Sequence, residues 1–420
     1  MPRIFMAHMI VAPFVQHAAS ALHEAGLLAA FDATLVDHPE SGLQEVAKRL
    51  APLVGYDLAG QLQRRRITAF PEALVQHYPW REVVRMLQVK LRADPVLGDR
   101  IFHWARDGFD HWVAGRLDGH GGFYGYEYGA RESLKRARAL GIPGFLDLPS
   151  PEHDFSEGII AAEVARFPDL QSDYRTHVSG LQDERTEYRR EEWEAASHIV
   201  TASTLTRDSW VAKGWSPRPV AVIPYGAPPV RESYLRAMPD EQPLRFVWAG
   251  TFSIRKGAHL LIEAWRSWTP SHPGIELHIY GAVTLPEKVL ADLPTSIVFH
   301  GSVAQHVLFE ALAGSAALVF PTLCDGFGMV VTEAFALGVP VITTERAGAV
   351  DLVRQGENGL RIAAGSAQVI AEALDAFMDL RADWPAMRHA AAETARGWQW
   401  SDYRRELSRF VGQALMEPVP

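Results

Sequence analysis

Cysteine is nearly missing from this chain: Cys324 is the only one in 420 residues. An intrachain disulfide and a thiolate metal site are therefore excluded, and the usage fits a reducing cytoplasm. No apolar run reaches the roughly 20 residues that a bilayer-spanning helix needs. A basic tail is also lacking, and the net charge is −9. Nucleic acid is thus an unsuitable partner, because binding its phosphate backbone takes clustered Lys and Arg. No GxGxxG follows the first apolar run, which makes a dehydrogenase the weakest enzyme reading. Internal repeats and low-complexity segments are absent too. The opening MPRIFMAHMIVAPFVQ is apolar, but His8 interrupts it and no clear cleavage site follows. It reads as a first buried strand rather than a secretory leader.

What is present is a globular composition, 48% hydrophobic and 22% charged, in a chain long enough for two domains. Twelve Trp and eleven Tyr suit a carbohydrate-handling protein, although large aromatics are mostly core. Short apolar runs alternate with amphipathic segments, the pattern of parallel sheets covered by helices. In the first half RIFMAHMI, GFLDLP, SHIVTAS and VAVIPYG read as strands, and 13–25, 127–140 and 204–213 as helices. The region 40–120 is helix-rich and less regular. In the second half LRFVWAG, ELHIYGA, SIVFHGS, AALVFPT, VPVITT and GLRIAA are strands. Between the first two, Leu260, Leu261, Ala264, Trp265 and Trp268 form one helical stripe. The Pro-rich PYGAPPVRESYLRAMPDEQP marks a boundary. The expected fold class is α/β: two Rossmann-like doubly wound parallel-sheet domains, 1–228 and 229–398, facing across a cleft. The last segment, 399–420, forms a helix returning to the first domain, with Ser401 as its N-cap.

Ligands in such folds sit at the carboxyl ends of strands. FVWAGTFSIRKGAHLLIEAW reads as strand, loop and helix, with Gly250 and Thr251 at the strand end and Arg255 and Lys256 before the helix. A helix N-terminus and two cations suit a diphosphate and the charge that builds as it leaves. The plainer reading is a solvated Arg-Lys pair. AALVFPTLCDGFGMVVTEAFALGVPVITT is the stronger signal. Its loop carries Asp325, Gly326, Phe327, Gly328 and Met329, and its helix carries Glu333 and is closed by Gly338. The glycines allow backbone N–H groups to approach a ligand, Asp325 can accept sugar hydroxyls, and Glu333 can accept both hydroxyls of a ribose. A turn at Asp325 and a solvated Glu333 are the alternative, which the apolar neighbours MVVT and AFALG disfavour.

DGFGMVVTEAFALGVPVI resembles the signature of retaining glycosyltransferase family 4: a carboxylate, seven residues, then Glu. The resemblance extends through GTFSIRKG, VIPYGAP, GSVAQHVLFEALAGSAALVFPT, GENGLRI and REEWEAASHIVTASTLTRDSW. It is close over 190–365 and weaker over 120–155. It implies a GT-B fold, an α-configured nucleotide-diphosphate sugar of UDP or GDP type, retention of configuration, and no metal or cofactor. It also implies that Lys256 contacts the diphosphate, Glu333 the ribose, and Asp325 with the following amides the donor sugar. Two positions depart from the family: Asp325 stands where Glu is usual, and Thr251 where Arg is usual. Arg255 is expected to supply the missing charge.

The first half is expected to hold the acceptor, a glycan, lipid-linked or other hydroxyl compound of cell-envelope polysaccharide or glycoconjugate synthesis. His153 and Asp154 follow a strand end and are candidates to touch donor sugar or acceptor; a structural His is the alternative. Cys324 reads as structural rather than nucleophilic. In 61–92, Trp80, Val83, Val84, Leu87 and Leu91 share one helix face beside Arg64, Arg65, Arg66, Arg81, Arg85, Lys90 and Arg92. Such a helix lies on an anionic membrane at the cytoplasmic face, or, more commonly, packs its apolar side on its own domain. Two other functions remain open: a hydrolysing nucleotide-sugar epimerase and a non-catalytic sugar-nucleotide-binding protein.

Overall fold

The computed structural model describes residues 2–38, 44–45, 48–49, 58–63, 65–91, 94–235 and 243–418. Its first sheet contains β1 Ile4–Ala7, β2 Leu28–Ala33, β3 Val75–His77, β4 Gly122–Tyr126, β5 Gly144–Leu148, β6 His198–Thr201 and β7 Val220–Val222. The strand order is β3-β2-β1-β4-β5-β6-β7. A second sheet contains β8 Leu244–Ala249, β9 Ile275–Tyr280, β10 Ile297–Gly301, β11 Ala317–Phe320, β12 Val341–Thr344 and β13 Gly359–Ile362. Its order is β10-β9-β8-β11-β12-β13. Neighbouring strands are parallel throughout. The strand order therefore reverses in the middle of both sheets, between β1 and β4 and between β8 and β11. A crevice opens at each reversal, beyond the strand ends. Central strands such as β8 and β11 are covered on both faces, which is why they read as continuous apolar runs.

The helices start where local chemistry allows. Helix α1 (Pro13–Glu24) has proline at its first position, where the missing N–H is not needed. Helix α2 spans Pro79–Lys90, and helix α3 spans Pro95–Ala114. Asp94 caps α3 by accepting the Val96 and Leu97 N–H groups at 2.8 and 3.0 Å. On α2 the more common expectation fails. Leu87 is 53% exposed and Leu91, just past the helix, 76%, whereas Glu82 is 1% exposed. The reason is a buried ion-pair cluster: Arg65 and Arg85 donate to the Glu82 carboxylate at 2.7–2.8 Å, which turns that face inward. Arg64 and Arg92 lie outside the described residues.

Helix α4 (His153–Arg166) leaves the first domain and reaches the second. Its Ile160 joins the core around Trp248 and Trp265, and its Glu163 pairs with His259 at 2.8 Å. Helix α5 (Thr204–Val211) follows β6 and is capped by Ser203, whose Oγ accepts the Thr206 N–H at 3.1 Å. Helix α6 (Ala258–Trp268) buries Leu260, Leu261, Ala264, Trp265 and Trp268 against the second sheet. Helix α7 (Met329–Ala336) follows β11, and Gly338 at φ 67° turns the chain out of it.

The chain passes between the lobes twice, at one place. Ala227 donates to the Trp398 carbonyl at 3.0 Å and accepts from the Trp400 N–H at 3.3 Å. Gly226 permits this crossing, since a Cβ there would lie 2.2 Å from the Trp400 nitrogen. Helix α8 (Trp400–Ala414) then packs on α1, with His17 stacked on Trp400 at 4.0 Å. Ser401 is not its cap. Helical geometry already includes Trp400, and the reciprocal bond comes from the Gln399 N–H to the Asp402 carboxylate at 2.8 Å. No helix among the described residues is long and apolar enough to cross a membrane.

Candidate active site

A cavity of about 460 Å³ lies at the β8/β11 reversal. Its charged wall comes from two loops. After β8, Gly250 adopts φ 114°, a conformation that suits glycine. A Cβ there would also crowd the Lys256 Nζ at 3.1 Å. Gly257, at φ 76°, ends this loop and starts α6. Arg255 and Lys256 both reach the cavity. After β11 the chain runs through Asp325, Gly326, Phe327 and Gly328 into α7, and each of these, with Met329 and Glu333, lines the same cavity. Gly328 at φ 82° begins α7. In the first turn of α7 the Val331 N–H is taken by the Gly328 carbonyl at 2.9 Å, which leaves the Met329 and Val330 N–H groups at the helix N-terminus, an end that favours an anion.

Electrostatics couple the two loops. Asp325 Oδ2 lies 3.5 Å from Lys256 Nζ and 3.6 Å from Arg255 Nη1. Burial pushes the Asp325 carboxyl up, but the two cations outweigh it and hold it below the usual range. Arg255 also donates to the Cys324 carbonyl at 2.6 Å, which fixes its guanidinium beside the loop. Glu333 is raised by burial, partly offset by Lys256. Lys256 thus stands as the shared counter-charge of two carboxylates, Asp325 buried and Glu333 half-buried. An incoming anion would meet two cations and a helix N-terminus, while the carboxylates accept hydroxyl donors.

The opposite wall belongs to the first domain and was not legible as a site: Phe14, Pro149, Ser150 and Tyr225. Phe14 stacks on Tyr225 at 5.3 Å, and Tyr225 meets Phe327 edge-on at 5.3 Å, so an aromatic bridge spans the cleft. Behind it, Tyr124, Tyr126, Tyr225 and Tyr403 surround buried Asp147, which accepts the Tyr124 hydroxyl at 2.6 Å. The lobes also touch through polar groups. Ser203 Oγ and Thr206 Oγ1 donate to the Gly326 carbonyl at 2.6 and 3.2 Å. The missing side chain of Gly326 faces this contact rather than a ligand, because a Cβ would lie 2.0 Å from the Pro149 carbonyl oxygen.

Three expected site residues stand apart from the cavity. Thr251 is exposed and not part of its lining. Asp154 turns into its own domain, pairing with Lys213 and accepting from Thr186 at 2.6 Å and Gln182 at 3.1 Å. His153 heads α4 beyond the lining, and its buried Nε2 has no partner among the described residues. Burial, and then the nearby Arg189 charge, hold its pKa down at about 4, so it is a neutral imidazole. Cys324 is buried 3.3 Å from the Ser156 hydroxyl, and burial pushes its thiol up, away from a reactive thiolate.

Two parallel-sheet domains of this arrangement form the GT-B fold. Sucrose-phosphate synthase from Thermosynechococcus elongatus superposes with a TM-score of 0.64 at 16% identity, covering 99% of this chain and 100% of that one. Anabaena HepE in complex with UDP-glucose superposes at 0.59 with 13% identity, covering 98% and 100%. Residues 236–398 match the family model of glycosyl transferases group 1, so that part of the chain is similar to that family. Among curated relatives, glycogen synthase of Mycobacterium tuberculosis is 26% identical over 269 residues, 60% of this chain and 64% of that protein. The capsular polysaccharide biosynthesis glycosyltransferase CapM of Staphylococcus aureus is 29% identical over 157 residues, 36% of this chain and 40% of that protein. The chain therefore spans less than two thirds of the length of these curated relatives.

Proposed function

We propose that the protein is a retaining, metal-independent glycosyltransferase. It moves a sugar from a UDP- or GDP-type donor to a hydroxyl of a glycan or glycoconjugate acceptor. The observation that carries this reading is the placement of Lys256 3.5 Å from Asp325 in a cavity that Arg255 and Glu333 also line and that α7 heads. Lys256, Arg255 and the helix N-terminus supply the positive charge that a departing diphosphate needs. Glu333 takes the ribose hydroxyls. Asp325 and the amides of Gly328 and Met329 hold the donor sugar. The bond from the sugar C1 to the phosphate oxygen breaks, the acceptor oxygen bonds to C1 on the same face, and its proton passes to the departing phosphate. The HepE structure with UDP-glucose and the capsular polysaccharide relative support the donor class and a role in cell-envelope polysaccharide synthesis.

The acceptor meets the aromatic wall of Phe14 and Tyr225. Exposed apolar residues of α2 next to Trp104, with Arg81 lying 4.9 and 4.5 Å from the Trp80 and Trp104 ring centres, support peripheral contact with the inner face of an anionic membrane. Flotation with vesicles containing phosphatidylglycerol checks this part; Trp80→Ser/Leu87→Ser is expected to stay at the bottom of the gradient.

A thermal-shift panel of UDP-, GDP-, ADP- and TDP-sugars, with wild type beside Glu333→Ala, tests the donor site. Ligand that binds only the folded state raises the melting temperature with the logarithm of its concentration over its dissociation constant. The expected result is a shift with one nucleotide class, lost in the variant. No shift with any of the four would return the protein to a non-catalytic reading. Release of free sugar or an epimer without an acceptor would favour the hydrolysing epimerase.

A further inference from the structure

We propose that Ser203 and Thr206 are positioning residues for the donor-sugar loop 324–329. These two hydroxyls of the first domain set the orientation of an amide in the second. The inference rests on the glycosyltransferase reading above and extends it to residues that do not line the cavity.

The loop is anchored through three successive carbonyls. Asp325 O accepts the Gly348 N–H at 3.0 Å and Phe327 O accepts the Ala349 N–H at 2.7 Å, both within the second domain. The middle one, Gly326 O, is held from the other lobe by Ser203 Oγ at 2.6 Å and Thr206 Oγ1 at 3.2 Å. Both side chains are buried, at 3% and 0% exposure, so the bonds are shielded from water. The Ser203 oxygen is already engaged by the Thr206 N–H as the cap of α5. Its single proton has two acceptors in reach, Gly326 O at 2.6 Å and Thr206 Oγ1 at 3.1 Å, and the shorter contact is the one to Gly326.

A trans peptide is planar, so its C=O and N–H point in opposite directions. Anchoring Gly326 O on the first domain turns the Phe327 N–H back to the second, where Asp325 Oδ1 accepts it at 3.3 Å. Without the anchor this peptide has an unusually free pivot, because residue 326 is glycine. Steric fit closes off alternatives while the lobes touch. A Cβ on residue 326 would meet Pro149 O at 2.0 Å, and one on residue 348 would meet Gly326 O at 2.1 Å and Ser203 Oγ at 2.7 Å. Three backbone segments thus meet with no room for a methyl group between them. Asp325 and its amide neighbours reach their donor-competent orientation when the two lobes are together. When the lobes separate, Gly326 O loses both bonds. A donor bound to an open molecule then contacts the diphosphate cations but not an ordered sugar loop.

The test uses the full chain with Ser203→Ala/Thr206→Val. A companion variant, Ser203→Gly/Thr206→Ser, keeps a tolerated capping residue and a hydroxyl at 206 should the first fail to fold. The nucleoside diphosphate is expected to bind within about threefold of wild type, because Lys256 and Glu333 are untouched. Turnover of the nucleotide sugar selected by the panel should fall about thirtyfold in kcat with little change in KM. Ser203→Thr, which retains the hydroxyl, should recover most of it. Hydrogen exchange without ligand should show the amides of 327–329 opening about tenfold faster in the variant, with those of α6 unchanged. A kcat within threefold of wild type, or unchanged exchange at 327–329, overturns the proposal. If wild type binds no nucleotide sugar, the glycosyltransferase reading fails, and the exchange result alone still decides whether the two hydroxyls order the loop.

Discussion

The two halves of this molecule use one topology and furnish it differently. Each sheet reverses order at its centre, and each reversal opens toward the shared cleft. At the β8/β11 crevice the loops deliver Arg255, Lys256, Asp325 and Glu333. At the β1/β4 crevice they deliver His8, Phe14 and Tyr126, with His8 edge-on to Tyr126 at 4.6 Å and Phe14 edge-on at 5.6 Å. Burial lowers the His8 pKa to about 4, so that imidazole is neutral and the crevice carries no charge from it. Topology decides where a crevice opens; the side chains at strand ends decide whether it suits an anion or a neutral, ring-shaped partner.

That contrast can be broken at several points. The largest effect is expected at the shared counter-charge: Lys256→Ala should lower kcat about a hundredfold to a thousandfold, as loss of a transition-state cation does. Arg255→Ala should cost tenfold or more by the same logic, at about 1.4 kcal/mol per decade, while Thr251→Ala stays within about twofold. Equal small losses from these two would remove Arg255 from its assigned role. On the aromatic side, Phe14→Ala should raise the acceptor KM about fivefold to twentyfold and leave nucleotide affinity unchanged, as expected for one lost apolar contact. A matching loss of nucleotide affinity would erase the division of labour between the crevices.

A further test concerns stability behind the aromatic wall. Burial raises the Asp147 carboxyl from 3.8 to about 7. The folded state therefore holds a proton that the unfolded chain releases between about pH 4 and pH 7. Stability from this group is complete below about pH 4 and is lost as pH rises through 7. Asp147→Asn removes the titration. Compared with the variant, wild type should lose up to about 1.4 kcal/mol per pH unit across that window in denaturant melts. Parallel pH profiles would show instead that Asp147 stays charged when folded.

Much of the charged crevice was legible because its chemistry is local: Asp325 and Glu333 share one loop-helix unit, and Arg255 and Lys256 another. All six strands of the second sheet were legible for the same reason, as short runs rich in β-branched, aromatic and other apolar residues. In the first sheet β2, β3 and β4 were not. β3 has three residues, β4 is punctuated by Gly122 and Gly125, and β2 carries Asp32, which is buried against Arg116 at 2.9 Å. The aromatic wall was hidden because Phe14, Pro149 and Tyr225 meet only after folding. Ser203 and Thr206 left a faint trace, a capping serine after a strand. The α2 stripe shows the limit of periodicity: it finds an apolar face but does not say whether anything covers it.

The return of α8 has a consequence for the order in which the molecule can be made. Helix α1 and helix α8 bury their apolar faces against each other through Val15, Ala18 and Leu22 on one side and Tyr403, Leu407 and Val411 on the other. During synthesis the first domain emerges early but lacks this cover until residues 400–414 leave the ribosome. The second domain is by then already out. The first domain is therefore completed only after the second, and residues 400–414 would have to be grafted onto any attempt to produce it alone.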